Sequence, residues 1–241
     1  ENIKSEQRNT ILFVPRDFKG EFFVAPEFTD IGYSAFENCD RISQITFEQI
    51  CSLNLNPCCF GRMKTLRSIS IRCADINISD FCFEKCESLT RFECYSSGTF
   101  HIGDNAFTGC DKLRFIKLGC LEKNRDGQFP KLENSTHSFD GIQNLEYLLI
   151  SAHEVKFVEY MLNDLQSLRH IRLESEADLV IDRMVFIGCP KLEKLELHSK
   201  SSVTINKNDS SYVFPSLQSL EVAGNMVNIG TDCFNSSKKL R

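Results

Sequence analysis

The chain has 241 residues, 41% of them hydrophobic and 25% charged, with a formal net charge of −5. That length suits one large domain or two small ones, and the acidic balance argues against a general nucleic-acid binder, which carries a basic surface. No run of about 18 apolar residues occurs, so no membrane-spanning helix is expected.

The opening residues, ENIKSEQRNT (1–10), are polar and unlike a signal peptide; they fit equally the start of a chain matured by cleavage or of a trimmed one. Residues 1–28 are expected to form an N-terminal cap segment. From residue 29 a pattern begins to recur, and repeats of this kind decide the fold. Counting from an aromatic anchor at position 0, apolar residues fall at −7, −5, +3, +6, +9 and +11. With Phe36 as anchor these are Ile31, Cys39, Ile42, Ile45 and Phe47, only Thr29 at −7 being polar. With Phe60 they are Leu53, Leu55, Met63, Leu66, Ile69 and Ile71; with Phe83, Ile76, Ile78, Cys86, Leu89, Phe92 and Cys94. With Phe107 they are Phe100, Ile102, Cys110, Leu113, Ile116 and Leu118.

The next unit is looser: Phe139 is followed by Ile142, Leu145, Leu148 and Ile150, but −5 is Asn134. Leu162 replaces the aromatic anchor in the unit after it, and Phe186 restores it, with Leu179, Ile181, Cys189, Leu192, Leu195 and Leu197. The eighth unit slips in its middle, with Tyr212 and Phe214 near the expected anchor, and a ninth starts with Val227, Ile229 and Phe234 before the chain ends at Arg241. The +6 residues are 42, 66, 89, 113, 145, 168, 192, 217 and 240, spaced 23 to 25 apart except for one gap of 32. The domain is therefore a repeat array over residues 29–241, its last repeat incomplete.

Within a unit, +9 and +11 alternate with polar residues, the period of a half-buried strand, and −7 and −5 alternate likewise. Positions −1, 0 and +3 have helical spacing, which predicts one short helical turn, with Asp104 and Asp182 placed as N-caps. A single unit cannot bury its own apolar residues, whereas stacked units share a continuous core. The expected fold is an α/β solenoid.

IGDNAFTGCDKLRFIKL (102–118), ISDFCFEKCESLTRFEC (78–94) and IGYSAFENCDRISQITF (31–47) resemble the repeats of BspA-type leucine-rich-repeat proteins, whose pattern is I-x-x-x-A-F-x-x-C-x-x-L-x-x-I-x-I. The resemblance covers about residues 29–241. It implies a curved stack with a parallel concave β-sheet and short helical turns on the convex side. Related proteins occur in bacteria and parasitic protists, often at the cell surface, and some bind host matrix proteins or mediate adhesion. The resemblance therefore implies an extracellular or cell-surface location and a protein partner, whether host matrix, cell-surface protein or a second copy of the chain. This sequence mostly lacks the proline that often follows the strand in relatives, and it shows no anchor.

Twelve cysteines raise the alternatives of disulfides, metal ligands, nucleophiles or packing. Cys39, Cys86, Cys110 and Cys189 share +3; Cys59, Cys82 and Cys233 share −1; Cys94 sits at +11. Recurrent apolar slots favour packing, since free cysteine behaves as a small hydrophobe. Cys51, Cys58, Cys73 and Cys120 lie outside those slots, and a Cys51–Cys73 bridge between adjacent coils stays open. No CxxC pair exists and the five histidines are scattered, so no metal site is expected. No nucleophile elbow, Walker loop, zincin motif or dinucleotide fingerprint occurs, so neither catalysis nor a cofactor is expected. Sequons at Asn77, Asn134, Asn208 and Asn235, of which this composition would yield about two or three by chance, are weak evidence for secretion.

A partner would meet the strand residues that face away from the core, at +8, +10 and +12. The +8 row reads Gln44, Ser68, Arg91, Phe115, Tyr147, His170, Lys194, Ser219; the +10 row reads Thr46, Ser70, Glu93, Lys117, Leu149, Arg172, Glu196, Glu221. Both rows are polar at their ends. In the middle Phe115, Tyr147 and Leu149 should cluster, ringed by Arg91, Tyr95, Lys117, His170 and Arg172. An aromatic centre with a basic and polar rim has the composition of a binding hot spot. The 32-residue unit inserts extra chain (119–138) beside these strands, where it either frames a partner or folds over the patch. The alternative to a surface recognition protein is an intracellular scaffold in a reducing compartment, favoured by the many core thiols. Because the chain ends inside a repeat, it is expected either to continue in nature beyond Arg241 or to be covered there by another chain.

Overall fold

The alternation of apolar and polar residues resolves into strands that stack coil upon coil. The computed structural model describes residues 9–49, 51–120, 130–134, 137–206 and 214–240. In chain order the strands are β1 (Thr10–Ile11), β2 (Gly20–Val24), β3 (Asp30–Ile31), β4 (Ile42–Glu48), β5 (Leu53–Leu55), β6 (Ser68–Cys73) and β7 (Ile76–Ile78). They continue as β8 (Arg91–Ser96), β9 (Thr99–Ile102), β10 (Phe115–Cys120), β11 (Lys131–Asn134), β12 (Tyr147–Ala152) and β13 (Val155–Phe157). The last are β14 (His170–Ser175), β15 (Leu179–Ile181), β16 (Lys194–Ser199), β17 (Ser202–Ile205), β18 (Ser219–Ala223) and β19 (Met226–Ile229).

The even-numbered strands form one parallel sheet of nine in the order β18-β16-β14-β12-β10-β8-β6-β4-β2, those from β6 onward lying within the +8 to +13 positions of their repeats. The −7 to −5 segments form a second wall in two pieces, a six-stranded sheet β1-β3-β5-β7-β9-β11 and a four-stranded sheet β13-β15-β17-β19. The result is a parallel β-solenoid of about eight turns. β1 and β2 pair with β3 and β4, so residues before 29 already extend both walls. Among the described residues no helix is long and apolar enough to cross a membrane.

The core is the set of repeat positions read from the sequence. Ile45, Ile69, Phe92, Ile116, Leu148, Ile171 and Leu195 occupy successive rungs at +9 and are 0–1% exposed. The anchors stack along the axis: Phe36–Phe60, Phe60–Phe83 and Phe83–Phe107 have ring centroids 5.0, 5.1 and 5.2 Å apart. That interval matches the spacing of paired strands, and offset or edge contacts add to simple burial. In the slipped eighth unit Phe214 supplies the anchor, meeting Phe186 at 5.7 Å and Phe234 at 5.8 Å; Tyr212 lies outside the described residues.

The expected short helical turns are absent among the described residues. The segment around the anchor is instead a chain of turns, because it carries a left-handed residue on each side of the anchor. At −2 these are Ser34, Cys58, Phe81, Asn105, Tyr160, Met184 and Asp232, and at +2 Asn38, Arg62, Lys85 and Asp164, with Gly109, Gly141 and Gly188 in the same place. A helix needs right-handed dihedrals throughout. Alternation instead aims amides along the solenoid axis: the N–H of Phe60 donates to Cys82, that of Arg62 to Glu84, that of Phe83 to Ala106 and that of Lys85 to Thr108. Each left-handed non-glycine residue costs roughly 1–2 kcal/mol, which the inter-coil bonds offset. Asp104 and Asp182 are accordingly not helix caps. The Asp104 amide donates to Asp80 Oδ1 at 2.8 Å, and Asp182 Oδ1 accepts from Asn206 Nδ2 at 2.7 Å, both across coils.

The +3 thiols have a role beyond filling space. Cys86, Cys110 and Cys189 point Sγ at the anchor carbonyl of the preceding coil, 3.0 Å from Phe60 O, 3.1 Å from Phe83 O and 3.2 Å from Leu162 O. A thiol is small and a weak donor, so it fits the slot and engages a carbonyl lone pair. The eleven described cysteines are free. The bridge considered between Cys51 and Cys73 is not present; buried Cys73 lies against Cys94 instead. Cys73 belongs to a +13 row of small residues at the corner after the strand, where Ser96 and Ser175 hydroxyls donate to Ala74 and His153 carbonyls. The side chain of Cys120 lies outside the described residues.

Candidate protein-binding face

The strand register places the outward rows as the repeat spacing requires. At +8, Ser68, Arg91, Phe115, Tyr147, His170 and Lys194 are successive rung partners; at +10, Glu93, Lys117, Leu149, Arg172 and Glu196 are. Phe115 and Tyr147 rings stand 6.4 Å apart, and Tyr147 meets His170 edge-on at 6.1 Å. Tyr147 is 40% exposed while Phe115, Leu149 and His170 are half-buried. An aromatic run thus crosses the coils of β10, β12 and β14.

The cations around it fall into two groups. Arg91 lies over the Phe115 ring at 3.8 Å and pairs with Glu93 at 2.7 Å. Lys117 Nζ lies 5.2 Å from the Tyr95 ring centre, and on the ring's other rung neighbour the Arg72 guanidinium lies 5.6 Å away. Such contacts contribute about 0.5–1 kcal/mol each at exposed sites. Tyr95 occupies the same rung as Gly119, and a Cβ there would sit 3.5 Å from the ring, an ordinary contact distance, so the ring lies directly over the glycine.

His170 and Arg172 belong to a different arrangement. Glu196, 4% exposed, receives His170 Nε2 and Lys194 Nζ, the latter at 2.9 Å. Arg172 bonds Glu174 at 2.8 and 2.5 Å, and Glu174 also accepts from Ser151. Burial alone pushes the Glu196 carboxyl up, yet the Lys194 and His170 bonds outweigh it and hold it below its ordinary 4.5; Glu174 is lowered in the same way by Arg172 and Ser151 against its burial. A carboxylate lowered on folding stabilises the fold above its unfolded value, and that stabilisation is lost as pH falls through the folded one. Glu196→Gln is expected to cost about 1–2 kcal/mol near neutral pH, with the gap to wild type closing as pH drops below 4.5. Urea unfolding at a series of pH values checks this; a gap constant with pH would refute the ionic account.

Of the eight expected partner residues, six therefore gather around Phe115, and His170 and Arg172 are drawn into a carboxylate network at the edge. Arg72 was not among them, although it stands one rung before Tyr95 at +12. The glutamates that use up half of the cations were also not singled out, since their pairing depends on side-chain reach across rungs. The inserted segment lies outside the described residues over 121–129 and 135–136. What is described of it, β11, pairs with β9 and continues the second wall. No cluster of His, Cys, Asp or Glu able to hold a metal occurs among the described residues.

A family model for the BspA-type leucine-rich-repeat region matches residues 20–129 and 132–241 in six copies. The chain belongs to the BspA-type leucine-rich-repeat family. A search of curated proteins found no match. Among solved structures, this BspA-type chain is similar to a leucine-rich-repeat protein from Bacteroides ovatus at 14% identity, covering 100% of this chain and 91% of that one with a TM-score of 0.31. The BspA-type repeat is consistent with a protein-interaction solenoid.

Proposed function

We propose that this BspA-type protein is a non-enzymatic recognition or adhesion module at a cell surface, binding a protein partner through the outer face of the main sheet, the side expected to be concave. The observation that carries the reading is the aromatic run Phe115–Tyr147–His170 with Tyr147 40% exposed on a sheet face. Aromatic side chains there present large rigid apolar area, the usual anchor of a binding hot spot. The double variant Phe115→Ser, Tyr147→Ser is expected to keep the far-UV circular dichroism of the wild type and to lose affinity for a purified partner by about a hundredfold or more. Unchanged affinity in a folded variant would rule the face out.

A second reading, an intracellular scaffold in a reducing compartment, is favoured by one observation, the eleven free thiols among the described residues. A thiol count and glycan analysis on protein isolated from its native source with alkylating agent separate the two. Bridged cysteines or a glycan at Asn77, which is exposed on β7, favour the surface reading; free thiols without glycan favour the scaffold.

A further inference from the structure

Resting on the reading that this face binds protein, we infer that the segment it takes is acidic: a peptide whose carboxylates settle between Arg72 and Lys117 while an apolar side chain meets Phe115, Tyr147 and Leu149. The protein is acidic as a whole, at −5, so a local excess of positive charge needs an explanation. Most cations on the face already have one. Arg91 pairs with Glu93, Arg172 with Glu174 and Lys194 with Glu196. Arg72 and Lys117 are ion-paired to no carboxylate among the described residues, and both converge on the single ring of Tyr95, at 5.6 and 5.2 Å. Two like charges flanking one ring repel each other, and the ring quadrupole compensates only in part. An anion entering between them removes that repulsion and gains two charge-assisted bonds.

Arg72, Tyr95 and Gly119 are successive rung partners. The Tyr95 ring lies over the glycine and its hydroxyl donates to Glu93 Oε1 at 3.4 Å, while Gly119 brings no carboxylate of its own to the two cations. The neighbouring rungs supply Phe115 and Tyr147 at +8 and Leu149 at +10. Cations beside an apolar ledge match a peptide that carries both acidic and apolar side chains. A sulfated glycan would use a longer row of cations and gain little from Phe115 or Leu149.

The test uses the whole chain and a short fluorescein-labelled peptide alternating Glu and Leu, the same peptide with Gln for Glu, and heparin. The acidic peptide is expected to bind at least about tenfold tighter than its Gln counterpart, to weaken with salt, and to lose about tenfold with Arg72→Glu or Lys117→Glu. Lys117→Gln, which removes charge without reversing it, should fall between, and thermal unfolding shows whether each variant is folded. Equal binding of the two peptides, lost in Phe115→Ser, Tyr147→Ser, would overturn the acidic partner yet leave the face as the binding site. Tighter binding of heparin, sensitive to Arg72→Glu, would overturn it in favour of an anionic glycan. No binding of either peptide by the folded wild type would overturn it outright, and would also locate the occupant of the face elsewhere, the chain's own 121–129 segment included.

Discussion

Phe83→Ala is expected to lower stability by about 3–5 kcal/mol, the largest effect of any single anchor truncation. Phe83 is fully buried and touches three other rings: Phe60 at 5.1 Å and Phe107 at 5.2 Å in near-parallel stacks, and Phe92 edge-on at 5.4 Å, with Phe92 in turn 4.9 Å from Phe107. Removing the ring leaves a cavity that the rigid rungs on either side cannot collapse into. Cys110→Ala, one layer away, removes only a thiol and its weak bond to Phe83 O, and should cost nearer about 1 kcal/mol. Far-UV circular dichroism during urea unfolding measures both, there being no tryptophan to follow. A Phe83→Ala penalty no greater than that of Cys110→Ala would contradict the stacked-anchor account.

The second large effect is in thiol reactivity. In native protein near neutral pH, the half-buried Cys51 and Cys58 are expected to alkylate first. The nine buried cysteines should react only as fast as the chain opens, on the order of a thousandfold slower or more. Burial raises the Cys39 thiol to about 11 and the Cys189 thiol to about 12, and pushes Cys82, Cys94 and Cys110 well above the ordinary value, helped by neighbouring thiols. Cys58 is raised by partial burial and by Glu84. Since the thiolate is the reactive form, every one of these shifts slows attack. Mass spectrometry of iodoacetamide adducts, before and after denaturation, assigns the order by residue. Prompt labelling of Cys82 or Cys110 in folded protein would show that the core opens far more readily than its packing implies.

Much of this architecture was legible in the sequence because a solenoid writes its core as a period. The offsets −5, +3, +6, +9 and +11 identified Ile102, Cys110, Leu113, Ile116 and Leu118 as buried, and all are 0–1% exposed. Strand register follows from the same count, which fixes the +8 and +10 rows. The turn around the anchor departs from the expected helical turn because helical spacing constrains which residues face inward and says nothing about the sign of φ. Ser34, Phe81, Tyr160 and Met184 carry no turn signature, yet all four are left-handed; of them Phe81 donates its N–H to Asp104 on the next coil. The face was half legible for a similar reason. Phe115, Tyr147 and Lys117 stand out by composition, whereas the capture of His170 and Arg172 by Glu196 and Glu174 depends on how far side chains reach between rungs.

The second wall breaks where the repeat lengthens. β11 closes one of its sheets and β13 opens the other, while β10, β12 and β14 run on unbroken in the main sheet directly opposite. In elastic terms the main sheet is one continuous leaf and the second wall is two shorter leaves laid end to end. The His153 N–H still donates to the Pro130 carbonyl across the join at 2.6 Å, but no strand ladder among the described residues spans it, so bending is expected to be easiest there, behind Phe115, Tyr147 and His170. A partner bound as proposed across those three residues would splint the solenoid opposite the join, coupling recognition to stiffening.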